Sequence, residues 1–239
     1  MKLFYDLHNH SCLSPCADND NTPHNLLGMA TISGLNVLAL TDHNSCKNCP
    51  AFFEAAKAYD IIPVAGMELT TSEDIHVVFL FRDLESAMSF DKLVEEKRFH
   101  IINKPEIFGE QLILDSDDNI VGNIDELLSV ATSISVEDVT ALAEEYDAIC
   151  FPAHIDRESN SIVAILGTIP EHLNFKVVEL ANSASLTKCE CHIPANARVL
   201  VDSDTHSLSM MRDAEFFIEV LSDSQDKDEL RRLFLDSLR

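Results

Sequence analysis

Six of the ten histidines in this sequence stand beside short apolar runs that read as strands. His8 and His10 follow the run Lys2 to Leu7, and His43 follows Asn36 to Leu40 through Thr41-Asp42. Glu68 comes just after Ile61 to Ala65, and His76 opens the run Ile75 to Phe81. His154 follows Ala148 to Pro152, and Asp204 and His206 follow Arg198 to Val201. A His-x-His pair leaving a strand can aim both imidazoles at one ion, because residues two apart share a face. Imidazole mixed with carboxylate suits zinc, manganese or iron, and a glutamate can bridge two such ions. A histidine cluster at a core edge without a cation would bury polar groups at a cost. Any one of these histidines could be a packing or surface residue. Taken jointly they read as metal ligands. His24, His100, His172 and His192 have no comparable context and read as surface or structural residues.

Something must bring these side chains together. Strand and helix signals alternate for most of the length. Thr22-Pro23 makes an N-cap and first-turn pair for a helix to Ser33, stopped by Gly34. Helices are also expected at Pro50 to Tyr59, from about residue 82 through Phe99, at Val136 to Tyr146 and from Lys227 onward. Further strands are expected at Lys176 to Leu180 and Phe216 to Leu221. Such alternation implies parallel strands, in an open sheet or a closed barrel, with functional groups at the carboxyl ends. Between Ile101 and Ile134 the rhythm breaks. Gln111 to Gly122 reads as a hairpin turning at Asp117-Asp118-Asn119, and Asp125 to Ala131 as a short helix. The segment 101–134 is therefore expected to be an insertion within a single domain, 1–239.

The balance of 41 acidic against 17 basic residues, a formal net charge of −24, argues against broad contact with a nucleic-acid backbone, so no duplex partner is expected. A small phosphorylated ligand stays compatible, since bound cations would reverse the local potential. No apolar run reaches the roughly 18 to 20 residues of a membrane span, and a strand begins almost at once. No membrane association and a cytoplasmic location are the expectation. Seven cysteines, an odd number, speak for reduced thiols. The pairs Cys12/Cys16, Cys46/Cys49 and Cys189/Cys191 could supply four ligands to a structural zinc; free thiols in loops are the simpler expectation.

The segments Asp6-Leu7-His8-Asn9-His10-Ser11, Thr41-Asp42-His43-Asn44, Gly66-Met67-Glu68, Ile75-His76, Pro152-Ala153-His154 and Asp202-Ser203-Asp204-Thr205-His206 resemble, in order, the motifs of the PHP (polymerase and histidinol phosphatase) family. The resemblance implies a distorted (β/α)7 barrel holding two or three divalent ions (zinc, manganese or iron) and a metal-dependent phosphoesterase activity. It implies a first ion on His8, His10, Glu68 and Asp204, and a second on Glu68, His76 and His154. A third would sit on His43, His206 and an early aspartate. Many members carry that aspartate five residues after the second histidine, where this chain has Pro15. Asp18, with Asp20 just beyond it, is the expected substitute. Metal-activated hydroxide would attack a phosphate ester of a small metabolite, nucleotide or short oligonucleotide. Arg157, three residues after His154, could grip the phosphate, and Glu68, Arg157 and His206 are the catalytic assignments. Two other readings fit the His-x-His opening: an amidohydrolase-type hydrolase, whose modified lysine Lys176 would have to supply, and a non-catalytic metal-binding module.

Overall fold

The computed structural model describes residues 1–239. Four strands open the fold: β1 (Lys2–Asp6), β2 (Val37–Leu40), β3 (Ile62–Thr70) and β4 (His76–Phe81). Helices α1 (Pro23–Ile32) and α2 (Cys49–Ala55) link the first three, and α3 (Leu84–Lys97) follows β4. The next segment carries α4 (Pro105–Phe108) and a hairpin of β5 (Leu112–Leu114) and β6 (Ile120–Asn123). Helix α5 (Val139–Glu145), β7 (Ala148–Pro152), α6 (Ile162–Leu166), β8 (Val177–Leu180), α7 (Leu186–Cys189) and β9 (Arg198–Val201) continue the alternation. Strand β10 (Phe217–Glu219) and helix α8 (Lys227–Asp236) end it.

The main sheet has the order β10-β1-β2-β3-β4-β7, and β8 pairs with β9. Two links curl these sheets toward closure. Beyond β1 and β9, Asn9 bridges Thr205. Beyond β7, the Ile155 N–H donates to the Glu179 carbonyl in β8 (2.9 Å). Seven strands, β1 to β4 and β7 to β9, thus form a distorted α/β barrel. Parallel pairing does not hold throughout: β4 runs antiparallel to both β3 and β7. Only residues 71–75 connect β3 to β4, too few for the dozen or more residues that a parallel crossover needs. The reversal puts His76, the first residue of β4, opposite Thr70, the last of β3. His76 therefore shares the rim formed by the carboxyl ends of the other strands.

Alternation along the strands separates two cores. Leu38 and Leu40 of β2 join a cluster of 38 buried residues beneath the helices, whereas Val37 and Ala39 join an interior cluster of 20. Leu230, Phe234, Leu235 and Leu238 from α8 and the residues after it complete that interior cluster. Arg231 donates to the Pro63 and Arg82 carbonyls at the end of the barrel away from the histidine rim. A fully buried phenylalanine such as Phe234 contributes about 1.5–3 kcal/mol, so α8 is a stable plug at that end.

The irregular segment is fastened to the opposite, histidine-bearing rim. The Leu112 N–H donates to the Cys12 carbonyl (2.9 Å), and the Asn44 amide donates to the carbonyls of Leu128 and Val130 (2.6 and 2.9 Å). Gly109 adopts φ +99°, and a Cβ there would lie 2.0 Å from the Pro15 carbonyl oxygen; only glycine lets the two backbones touch. The expected hairpin is present, and Asp115 holds its turn by accepting from the Asp117 and Asn119 N–H groups. The helix expected at Asp125 to Ala131 does not form. The Leu127 N–H donates instead to the Ile101 carbonyl and the Leu128 N–H to the Gln111 side chain, so distant partners satisfy the backbone. No helix is long and apolar enough to cross a membrane.

Candidate metal centre

The rim residues are held by their neighbours before any ligand is considered. Asn9, between His8 and His10, donates its amide to the Asp6 and Ala39 carbonyls and its N–H to the Thr41 hydroxyl (3.2, 3.2 and 3.0 Å). Asp42 accepts from the Ser11 N–H, the Ser11 hydroxyl and the Ser14 hydroxyl (2.7, 2.6 and 2.7 Å). That pins the loop after β1 to the turn that presents His43. His154 and Asp204 have φ of +30° and +50°. Backbone in this region costs a non-glycine residue roughly 1–3 kcal/mol, and both residues carry ligand-type side chains.

The donor atoms converge. His8 Nδ1 lies 2.9 Å from Glu179 Oε2, and His10 Nδ1 lies 2.9 Å from the Ser14 hydroxyl. Because Ser14 gives its own proton to Asp42, His10 Nδ1–H is the donor in that contact. Both rings of the pair therefore turn Nε2 inward, 3.2 Å apart. Glu68 Oε2 is 3.3 and 3.2 Å from the two Nε2 atoms, and Asp204 Oδ1 is 3.3 and 3.1 Å away. Glu68 also faces His43 Nδ1 at 3.0 Å, His76 Nδ1 at 2.7 Å and His154 Nε2 at 3.2 Å.

Three sets of donor atoms lie within 4.8 Å of one another: His8, His10, Glu68 and Asp204; His43, Glu68 and His76; and His10, His43 and His206. Tetrahedral ligands about 2.1 Å from one ion stand roughly 3.4 Å apart, close to the spacings of the first set. His43 Nδ1, His76 Nδ1 and Glu68 Oε2 are buried yet make no well-formed hydrogen bond. Buried donors and acceptors left this way are costly, and a shared divalent cation satisfies all three. The nitrogen and oxygen donor set suits zinc, manganese or iron, so the residues present fit a multinuclear metal site.

Electrostatics divide the cluster. Burial works against a charge on His8, but Glu179, Glu68 and Asp204 hold its pKa well above the ordinary value. Against the same effect of burial, Asp204 and Glu68 raise His10 to about 9. His43 and His206 behave oppositely. Burial, reinforced by His10, holds His43 well below the usual range and lowers His206 to about 4. Burial also opposes ionisation of Glu68, but His76, His8 and His43 outweigh it and hold its carboxyl well below normal. Asp204 is likewise held low by His8 and His10. The side of His8 and His10 attracts positive charge, while His43 and His206 keep free lone pairs at neutral pH.

The structure gathers His8, His10, His43, Glu68, His76, His154, Asp204 and His206 at one rim. Asp18 is different. Its N–H donates to the His206 carbonyl (2.8 Å), but its side chain is exposed and belongs to none of the donor sets; Asp20 is exposed as well. Arg157 Nη1 contacts Asp204 Oδ2 at 2.5 Å, and its side chain is 39% exposed. Asp156, beside it, instead accepts from the Ala181 and Asn182 N–H groups. The open side is a cleft of about 70 Å³, floored by Glu68 and the histidines and walled by Arg157, Ser159 and Asn160. A larger cavity of about 620 Å³ lies at the other end of β7, against Lys176 and Arg239, with none of these donor sets. The cysteine pairs do not converge: Cys46 and Cys49 both face the Gly66 carbonyl, and no cysteine joins a donor set. The sequence reading missed Glu179. A carboxylate within the buried strand Val177-Val178-Glu179-Leu180 was the available signal.

Residues 6–150 match the model of the PHP domain. A 5′-3′ exoribonuclease of Haemophilus influenzae is 34% identical over 102 residues, which are 39% of this chain and 36% of that protein. Among solved structures, the lesion-specific endonuclease PfuEndoQ from Pyrococcus furiosus superposes with a TM-score of 0.63 at 18% identity, covering 99% of this chain and 56% of that one. This chain therefore spans about half the length of PfuEndoQ. A Bifidobacterium adolescentis protein assigned as a metal-dependent phosphoesterase gives 0.60 at 16% identity, covering 98% and 96%.

Proposed function

The chain belongs to the PHP domain family, and from that premise we propose that this metal-dependent phosphoesterase cleaves a phosphate ester of a nucleotide or short oligonucleotide. The observation that carries the reading is the convergence of five imidazoles on Glu68, with Arg157 at the open side. His8, His10, Glu68 and Asp204 would hold a first ion, and Glu68, His76 and His154 a second. His43 and His206 would hold a third, with Asp18, fastened through its backbone to His206, as the carboxylate. All 239 residues act as one domain in this reading, with 101–134 inserted at the mouth.

Divalent ions held by these residues would supply Lewis acidity that activates water near neutral pH and offsets charge developing on the phosphoryl oxygens. The protein does the rest. Glu68 fixes the spacing of the donor sets, and His206 keeps an uncharged ring toward the cleft. Arg157 binds the phosphate through its planar fork, exchanging the Asp204 carboxylate for substrate oxygens. The Arg157 guanidinium offers positive charge where an anionic ester must enter, although the whole chain is strongly acidic.

The exoribonuclease relative favours a nucleotide ester over other phosphorylated metabolites. An amidohydrolase would place its modified lysine at the rim, whereas Lys176 precedes β8 at the far end and is tied to Asn174 (2.6 Å). The test is metal content by elemental analysis, with turnover of bis-p-nitrophenyl phosphate, p-nitrophenyl phosphate and a 5′-phosphorylated oligoribonucleotide, for wild type and His8→Ala. Two or three ions per chain and turnover lost in the variant are expected. Full metal loading with no ester cleaved would overturn the reading.

A further inference from the structure

Glu179 enters the barrel interior from β8, on the same face as Val177, which lies in the interior apolar cluster. Its side chain has no exposure, and both of its oxygens lie against one atom: Oε1 at 3.1 Å and Oε2 at 2.9 Å from His8 Nδ1. It makes no other side-chain hydrogen bond. A carboxylate in such a place is costly unless a partner compensates it, and leucine would fit the surrounding apolar pattern. The compensation it has is the outward nitrogen of a ring whose inward nitrogen faces Glu68 and Asp204.

On the reading given above, we propose that Glu179 is a positioning residue for the first metal ion. It accepts the Nδ1 proton of His8, fixes the tautomer that leaves the Nε2 lone pair facing inward, and makes that nitrogen a stronger donor. A carboxylate behind a histidine ligand acts this way in metal sites generally, and its loss typically weakens metal binding 10- to 100-fold. His10 has a weaker counterpart, since its Nδ1 reaches Asp42 only through the Ser14 hydroxyl. The two rings of the His-x-His pair are therefore unequal: His8 carries direct anionic backing and His10 a relayed form. Asp202 and Asp6 lie nearby and are occupied otherwise, accepting from the Leu7 and Ser203 N–H groups (2.6 and 3.1 Å).

The experiment titrates EDTA-stripped full-length protein with Mn(II) and, separately, Zn(II) by calorimetry, for wild type, Glu179→Gln and Glu179→Leu. The melting temperature of each stripped protein is recorded alongside. Glutamine keeps the shape and an acceptor oxygen but removes the charge; about tenfold weaker binding of the tightest ion is expected. Leucine removes both, and about a hundredfold loss is expected. The absorption spectrum of the Co(II)-loaded protein should change in both variants, a readout that a purely structural role would leave alone. If leucine does not fold, the glutamine variant and its Co(II) spectrum decide. Wild-type affinity and an unchanged spectrum in Glu179→Gln would overturn the assignment while leaving the phosphoesterase reading standing. A wild type that binds no ion would refute both.

Discussion

Replacing Gly66 with alanine tests whether the metal centre depends on how closely three strands meet. A Cβ at Gly66 would lie 2.7 Å from the Phe79 carbonyl oxygen in β4 and 2.7 Å from Thr41 Cγ2 at the end of β2. Ordinary contact begins near 3.4 Å and real Cβ atoms essentially never come within 3.0 Å, so the strands must part by about 0.3–0.7 Å. Gly66 has no positive φ, so alanine adopts the backbone without strain and gains about 0.4–1 kcal/mol through the unfolded state. Overpacking against buried backbone costs roughly 1–3 kcal/mol and outweighs that gain. A net loss of about 1–2 kcal/mol lowers the melting temperature by roughly 2–8 °C in a chain of this size. The wedge also sits among the strands carrying His43, Glu68 and His76. The ion held there should bind at least tenfold more weakly, and an ångström-scale displacement can cost about a hundredfold in turnover. Thermal melts of the stripped protein give the first number, and calorimetric metal titration with ester turnover gives the others. A Gly66→Ala variant with wild-type melting and metal affinity would refute the reasoning, because it would show that the rim yields without consequence.

Two further outcomes follow from the described contacts. Arg157→Ala should lower kcat/KM by about 10²–10³, the usual effect of removing one preorganised charged donor, with metal stoichiometry unchanged; Arg157→Lys should recover less than a tenth of the loss, since an ammonium cannot form the planar fork. Wild-type kinetics in Arg157→Ala would remove the residue from the phosphate site. Glu73 accepts from the Ser135 hydroxyl and the Val136 N–H (2.7 and 2.9 Å), and these hold its carboxyl below the ordinary 4.5 against the opposing effect of burial. A depressed value stabilises the fold above that pH and stops doing so as pH falls through the folded value. The stability gap between wild type and Glu73→Gln, at most about 1 kcal/mol at pH 7 for a half-buried, solvent-screened group, should therefore narrow below pH 4.5 in urea melts; a gap that widens there would contradict the assignment.

The rim was legible because its residues sit in short polar stretches straight after apolar runs, as in Leu40-Thr41-Asp42-His43. Strand direction was not legible. Periodicity in β4 reports which side chains are buried, not which way the strand runs, and only the length of the 71–75 connection carries that information. The failed helix at Asp125 to Ala131 has a related cause. Ile124, Leu127 and Leu128 follow helical spacing, yet Ile124 and Leu128 pack on Leu13 of the mouth loop. Long-range partners overrode local propensity. Glu179 was hidden because its role depends on a hydrogen bond across 171 positions in sequence, and Asp18, taken as the substitute just beyond Pro15, has an exposed side chain outside the donor sets.

The bridge between the segments that follow β1 and β9 sets a schedule for biosynthesis. His10 and Asp204 share a donor set yet are 194 positions apart, and Asn9 pairs with Thr205. At about 5–20 residues per second, a ribosome needs roughly 10–40 s to make the second partner after the first. His8 and His10, just after β1, must spend that interval without Asp204, with the barrel open on the side that β8 and β9 will close. Long-range closure of this kind also slows folding after release. The four-residue set His8, His10, Glu68 and Asp204 is thus complete only once Asp204 has been made, and an ion bound there would act as a clasp between the segment after β1 and the later-made segment after β9.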